Sequence, residues 1–157
     1  MLNKLTRGKY IICMDDDDYY PPEKITFTIN RMIGSKSQIS GSSLIYVYYT
    51  DIDKIYTYGP YSITHATNGT LCYEKSFIKN RKYENDATMA EEKHFLNDFN
   101  IPILQLEPLK TILCIAHNSN TVNKDKFKQQ GNELPMKLKN IIKDKKILQF
   151  YKNLNNR

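Results

Sequence analysis

Four aspartates in a row, Asp15 to Asp18, directly follow the apolar run Tyr10-Ile11-Ile12-Cys13-Met14 and directly precede Tyr19-Tyr20-Pro21-Pro22. Carboxylates this crowded repel one another unless a cation, a neighbouring base or open water offsets them. The apolar run is too short for a core helix and is sharply bounded, which reads as a buried strand. Pro21-Pro22 then halts regular structure. The densest negative charge of the chain therefore sits where a strand ends, and metal binding becomes the first functional question.

With 157 residues the chain has room for one ordinary domain. A hydrophobic fraction of 40%, with 12 Tyr and 6 Phe, supports a packed core and argues against a disordered tail. The net charge of +6 is unevenly spread, because Lys137 to Lys146 is markedly basic while the acidic run lies near the amino terminus. A nucleic acid or an anionic membrane is open to that basic segment, with a solvated Lys-rich helix the commoner explanation. Cys13, Cys72 and Cys114 are an odd set without C-x-x-C spacing, each inside an apolar stretch, and read as buried thiols. The first residues lack the apolar region of a signal peptide, no apolar run approaches membrane-spanning length, and a cytoplasmic location is the default expectation.

Along the chain, Glu23 to Ile29 starts a helix or an extended segment, with alternation weakly favouring the latter, and the Gly- and Ser-rich Gly34 to Ser43 reads as a mobile connection. Leu44 to Thr50 and Lys54 to Tyr58 predict a strand pair turned at Asp51-Ile52-Asp53, with aromatic residues on both faces. Leu71-Cys72-Tyr73, Ile101 to Leu106 and Thr111 to Ala116 are further short extended segments. Ala87 to Asp98 is a helix capped by Asp86, and Leu138, Ile141, Ile142 and Lys145 mark an amphipathic helix near the carboxyl end. Strands interspersed with helices predict a mixed α/β fold.

In extended backbone Asp15 and Asp17 point to the same side, so together they can hold a hard divalent cation that in turn holds phosphates. An acidic solvent loop is the plain alternative. EF-hand spacing is absent, as are the G-x-x-x-x-G-K-S/T and G-x-G-x-x-G phosphate signatures.

The stretch Gly8-Lys9-Tyr10-Ile11-Ile12-Cys13-Met14-Asp15-Asp16-Asp17-Asp18 resembles nucleotide-sugar-dependent glycosyltransferases of the GT-A type, in the broad family 2 group, where an apolar strand delivers a D-x-D motif. The resemblance implies that Asp17 is the direct ligand of Mn2+ or Mg2+, and that Asp15 lies nearer the nucleotide ribose or a metal-bound water. Asp16 and Asp18 are substitutes under a one-residue shift. Asn68 to Ser76 is similar to the segment on the acceptor side of the cleft, where Gly69 permits a close backbone approach and Thr70 contacts substrate or caps local backbone. Glu91-Glu92 followed by Phe95 resembles the acidic pair of inverting members, implying Glu92 as the base that activates the acceptor, with Glu in place of the usual Asp. His117, after Thr111 to Ala116, matches a late position near the bound ion in some members.

The implied fold is a partial GT-A-like mixed sheet with flanking helices over residues 1–122, followed at 123–157 by a basic helical extension packed on or beside it. The implied reaction moves a sugar from a nucleoside diphosphate to an acceptor hydroxyl with inversion. The resemblance covers Leu5 to Asn120 and reaches D-x-D by residue 15, whereas complete members carry further α/β units before that motif. The expectation is therefore a truncated, split or diverged transferase that associates with itself or with a complementary subunit. A catalytically inactive subunit, or a basic module that binds protein or nucleic acid, is the alternative. The absence of an RNA-recognition signature weighs against nucleic acid.

Overall fold

In the computed structural model, residues 5–79, 92–118, 120 and 124–154 are described. Strands and helices are interspersed along the chain, and the fold is mixed α/β as the sequence pattern predicts. Among the described residues, two four-stranded sheets carry it. The first contains β1 (Tyr10–Ile12), β2 (Ile39–Gly41), β5 (Cys72–Glu74) and β6 (Leu104–Gln105) in the order β1-β5-β2-β6. The second contains β3 (Ile45–Tyr49), β4 (Lys54–Tyr58), β7 (Cys114–Ala116) and β8 (Asn132–Leu134) in the order β7-β3-β4-β8.

In the first sheet β5 is antiparallel to both β1 and β2, and β6 is parallel to β2. The carboxyl ends of β1, β2 and β6 therefore open on the same edge as the amino end of β5. The second sheet is built on the β3–β4 hairpin, with Val47 opposite Tyr56 and Asp53 in the left-handed region at φ 51° where the chain reverses. β7 joins β3 in parallel and β8 joins β4 antiparallel.

Alternation decides what each strand buries. Tyr48 and Ile115 face a cluster completed by Tyr19, Ile55, Leu113, Leu138 and Ile142, while Val47, Tyr49, Cys114 and Ala116 face another with Tyr58 and Ile112. Both faces of the second sheet are thus covered, as its aromatic-rich strands suggest. The first sheet packs Ile11, Ile39, Leu71 and Tyr73 against Phe77, Phe95, Leu96 and Ile103.

Four described helices complete the chain: α1 (Lys24–Ser35), α2 (Glu92–Phe95), α3 (Leu138–Ile141) and α4 (Lys145–Lys152). The weak alternation of Glu23 to Ile29 misleads, because Lys24, Thr28 and Met32 recur at helical spacing and are the buried residues of α1. Nor is Gly34 to Ser43 a mere connection. It holds the end of α1 and then β2, whose three residues are all buried. A small residue is required there, since a Cβ on Gly41 would lie 2.5 Å from Ala66 Cβ. Near the carboxyl end the amphipathic pattern is divided in two. Ile142 is extended, and Asp144 restarts the helix by accepting from the Lys146 and Ile147 amides at 2.8 and 3.0 Å. Among the described residues no helix is long and apolar enough to cross a membrane.

Candidate functional site

The acidic turn connects the two sheets. Cys13 extends β1 by one bond, its amide donating to Leu71 O at 2.9 Å, and Tyr19 pairs with Leu113 just ahead of β7 through reciprocal backbone bonds of 3.0 and 2.9 Å. The four aspartates lie between these anchors, at the carboxyl end of β1.

Their fates differ. Asp18 is a structural acceptor: the Ile115 amide donates to its Oδ1 at 2.7 Å, and the Tyr151 hydroxyl donates to its carbonyl at 3.0 Å. Asp16 is exposed. Asp15 is exposed as well, with its amide donating to the Tyr20 hydroxyl at 2.7 Å. Asp17 is half-buried and its Oδ2 accepts from Asn120 Nδ2 at 2.8 Å.

Asn120 links Asp17 to His117. Its Oδ1 accepts from the His117 amide at 2.7 Å, which fixes the orientation of the side-chain amide, and its Nδ2 then lies 3.1 Å from His117 Nε2. This makes Nε2 an acceptor and puts the ring proton on Nδ1. His117 follows β7 and is thereby brought to the acidic turn through one intervening amide. For Nε2 to ligate a metal, Asn120 must first let go of it.

On the other side stands the 3-10 turn Asn68–Thr70. A Cβ on Gly69 would meet Asp15 Oδ2 at 2.7 Å, Ile112 Cδ1 at 2.9 Å and the Tyr20 hydroxyl at 3.1 Å. The Asp15 carboxylate therefore rests directly over this glycine, and lack of space, not backbone conformation, requires Gly there. Thr70 is committed to structure, since its hydroxyl accepts from the Ser42 amide at 2.9 Å and donates to Thr67 O at 2.6 Å.

Below the turn lies a residue that no sequence pattern marks. Lys24 is only 1% exposed. Its ammonium donates to Cys13 O at 2.9 Å and to Gly69 O at 2.8 Å, and sits 3.9 Å from the centroid of the Tyr20 ring. One cation thus ties the end of β1 to the glycine turn. Burial pushes the Lys24 ammonium down to about 8, while Cys13 and Asp15 act in the opposite direction. Burial likewise raises the Tyr20 phenol, with the Asp15 amide bond lowering it and the Asp15 charge raising it.

Glu92 opens α2 and is 8% exposed, its carbonyl accepting from the Leu96 amide at 2.8 Å. α2 is anchored on the first sheet by Phe95, whose ring lies 4.9 Å from that of Tyr73. Glu91, and Ala87 to Ala90 of the expected longer helix, fall outside the described residues.

The structure accordingly brings Asp15, Asp17, Gly69 and His117 around one turn, with Thr70 buried behind it. Lys24, Tyr20 and Asn120 are the members that the sequence reading did not name; Asn120 alone had a signal, in the polar run His117-Asn118-Ser119-Asn120. The extended backbone expected over Asp15 to Asp17 is replaced by a turn at Asp16 and Asp17; the two carboxylates remain hard oxygen donors of the kind Mn2+ or Mg2+ takes. Among the described residues no group of three or more His, Cys, Asp or Glu is arranged to hold a metal ion. No protein-family model matches the chain, and no curated protein matches it.

Proposed function

We propose that this chain is a glycosyltransferase-like protein that binds a nucleoside diphosphate sugar at the acidic turn and, when active, transfers the sugar to an acceptor hydroxyl with inversion. One observation carries the reading. Asp15 and Asp17 follow the carboxyl end of a strand, with the Asp15 carboxylate over Gly69 and Asp17 bonded to Asn120, which contacts His117 just after β7. Ligands of open α/β sheets bind in this position, outside the carboxyl ends of strands.

In this reading Asp15 and Asp17 hold a divalent ion, which when bound offsets the charge developing on the leaving diphosphate. Asn120 keeps Asp17 in one orientation, and Gly69, lacking a Cβ, lets the Asp15 carboxylate rest against its backbone. Glu92 accepts the acceptor's hydroxyl proton as that oxygen attacks the anomeric carbon and the bond to the diphosphate breaks. Glu92 opens a helix that packs on the first sheet, whose strand β1 leads into the acidic turn.

Manganese-dependent binding of a panel of nucleoside diphosphate sugars, measured by calorimetry, tests the reading. Asp17→Ala should weaken binding by at least about tenfold. Glu92→Gln should keep donor binding and lower transfer by roughly 10²–10⁴-fold. Absence of manganese-dependent donor binding by the native chain would sink the proposal.

A further inference from the structure

A second surface, on the segment from Lys137 to Lys152, carries the opposite charge to the acidic turn. It holds Lys137, Lys139, Lys143, Lys145, Lys146 and Lys152, with Asp144 its sole acid. Elsewhere, lysines of this chain pair with carboxylates, as Lys54 does with Glu133 at 2.8 Å and Lys128 with Asp51 at 2.7 Å. Among the described residues Lys139, Lys143, Lys145, Lys146 and Lys152 form no such pair, and all are exposed. Asp144 is occupied as the cap of α4.

Apolar side chains stand among these charges. The inner side of α4 packs Leu148 and Tyr151 against the second sheet. Ile147 and Phe150 remain 42% and 44% exposed. Lys145, Lys146, Gln149, Phe150 and Asn153 share one outward side, where they line a shallow hollow of about 570 Å3.

We propose that α4 and the lysines leading into it dock this chain on an anionic lipid surface, with Phe150 and Ile147 entering the boundary between headgroups and acyl chains. Lysine ammoniums attract anionic headgroups from a distance, and their long stems lie along apolar surface while the charge stays in water. An exposed Phe and Ile between them add the apolar contact that charge alone lacks. A nucleic acid would reward the lysines but offers nothing to Ile147. Moreover, 137–152 contains no Arg, the residue suited to bidentate phosphate contacts. The inference is independent of the donor site and goes beyond the transferase reading.

The chain contains no Trp, so Phe150→Trp introduces a single reporter at the proposed contact. Full-length protein is mixed with vesicles of phosphatidylcholine alone or of phosphatidylcholine with phosphatidylserine, and flotation and Trp emission are followed. Expected are flotation and a blue shift with the phosphatidylserine vesicles only. Lys145→Glu/Lys146→Glu should reduce the apparent affinity by at least about tenfold, while thermal melts confirm that both variants fold. Equal binding to neutral vesicles, or no binding to either, overturns the proposal. Binding to a DNA or RNA duplex without a vesicle-induced blue shift overturns it in favour of nucleic acid.

Discussion

Asp15 to Asp18 are chemically identical and do unlike work. Asp18 is locked to the Ile115 amide, Asp17 is steered by Asn120, Asp15 overlies Gly69, and Asp16 is exposed. The fit of Asp15 over Gly69 is a testable property. Gly69→Ala would place a methyl carbon 2.7 Å from Asp15 Oδ2 and 2.9 Å from Ile112 Cδ1. The expected cost is about 1–3 kcal/mol, read by denaturant unfolding, together with weakened manganese binding because the carboxylate must move. Lys24 gives a second test, with its sign set by burial. Its ammonium is lowered from 10.5 to about 8, so between those values the unfolded chain retains a proton that the folded chain has shed. The Lys24 contribution to stability should therefore rise from pH 8 toward pH 9.5, by at most roughly 3–3.5 kcal/mol were the whole interval to 10.5 traversed. Tyr20 and Tyr48 are raised by burial and destabilise the fold only above their usual pKa of 10.0, outside the window, whereas Cys72, raised by burial from 9.0 to about 12, opposes the rise from about pH 9 upward in both native chain and variant. Urea titrations at pH 7.5 and 9.5, on the native chain and Lys24→Met, separate the Lys24 contribution. A native chain whose advantage over the variant shrinks with pH contradicts the assignment.

At the scale of elements, the acidic turn works as a splice between two sheets, and Asp18 is its pin. Asp18→Ala removes the carboxylate that accepts from the Ile115 amide in the middle of β7, for an expected loss of about 1–3 kcal/mol. Asp16→Ala should change stability by no more than about 0.5 kcal/mol, as for other exposed sites. Equal losses at the two positions in chemical denaturation would refute the division of roles. The elements also show where sequence pattern suffices. The β3–β4 hairpin was legible because alternation, aromatic content and a turn-rich Asp51-Ile52-Asp53 agree. β2 was not, because its Ile39-Ser40-Gly41 resembles a linker until Ala66 is found against Gly41. α1 was ambiguous because its buried face begins with a lysine, which hydrophobic patterning counts as surface.

For the whole molecule, the segment after Gly131 belongs to the second sheet and to its core. β8 pairs along β4 with Ile55 opposite Leu134, Leu138 and Ile142 are each 1% exposed, and Tyr151 reaches back to Asp18 O at 3.0 Å. Removing residues 131–157 would uncover the edge of β4 and the apolar side of Tyr48, Ile55 and Ile115. Loss of cooperative melting and self-association on size-exclusion chromatography are expected, and an unchanged melting curve would show that the segment is dispensable. The same attachment fixes α4 and its lysines to the body of the protein, which the proposed lipid contact requires.

The sequence by itself determined that a strand ends in a carboxylate turn and that the fold mixes strands and helices. These follow from local rules: charge repulsion, the period of the backbone and turn chemistry. Only the tertiary structure decided that Asp18 is a backbone cap, that Asn120 stands between Asp17 and His117, and that Lys24 lies buried beneath the turn. Each of those facts joins residues far apart in the chain through a hydrogen bond or a shared burial. No local preference of Lys, Asp or Asn encodes which partner folding will bring within 3 Å of it.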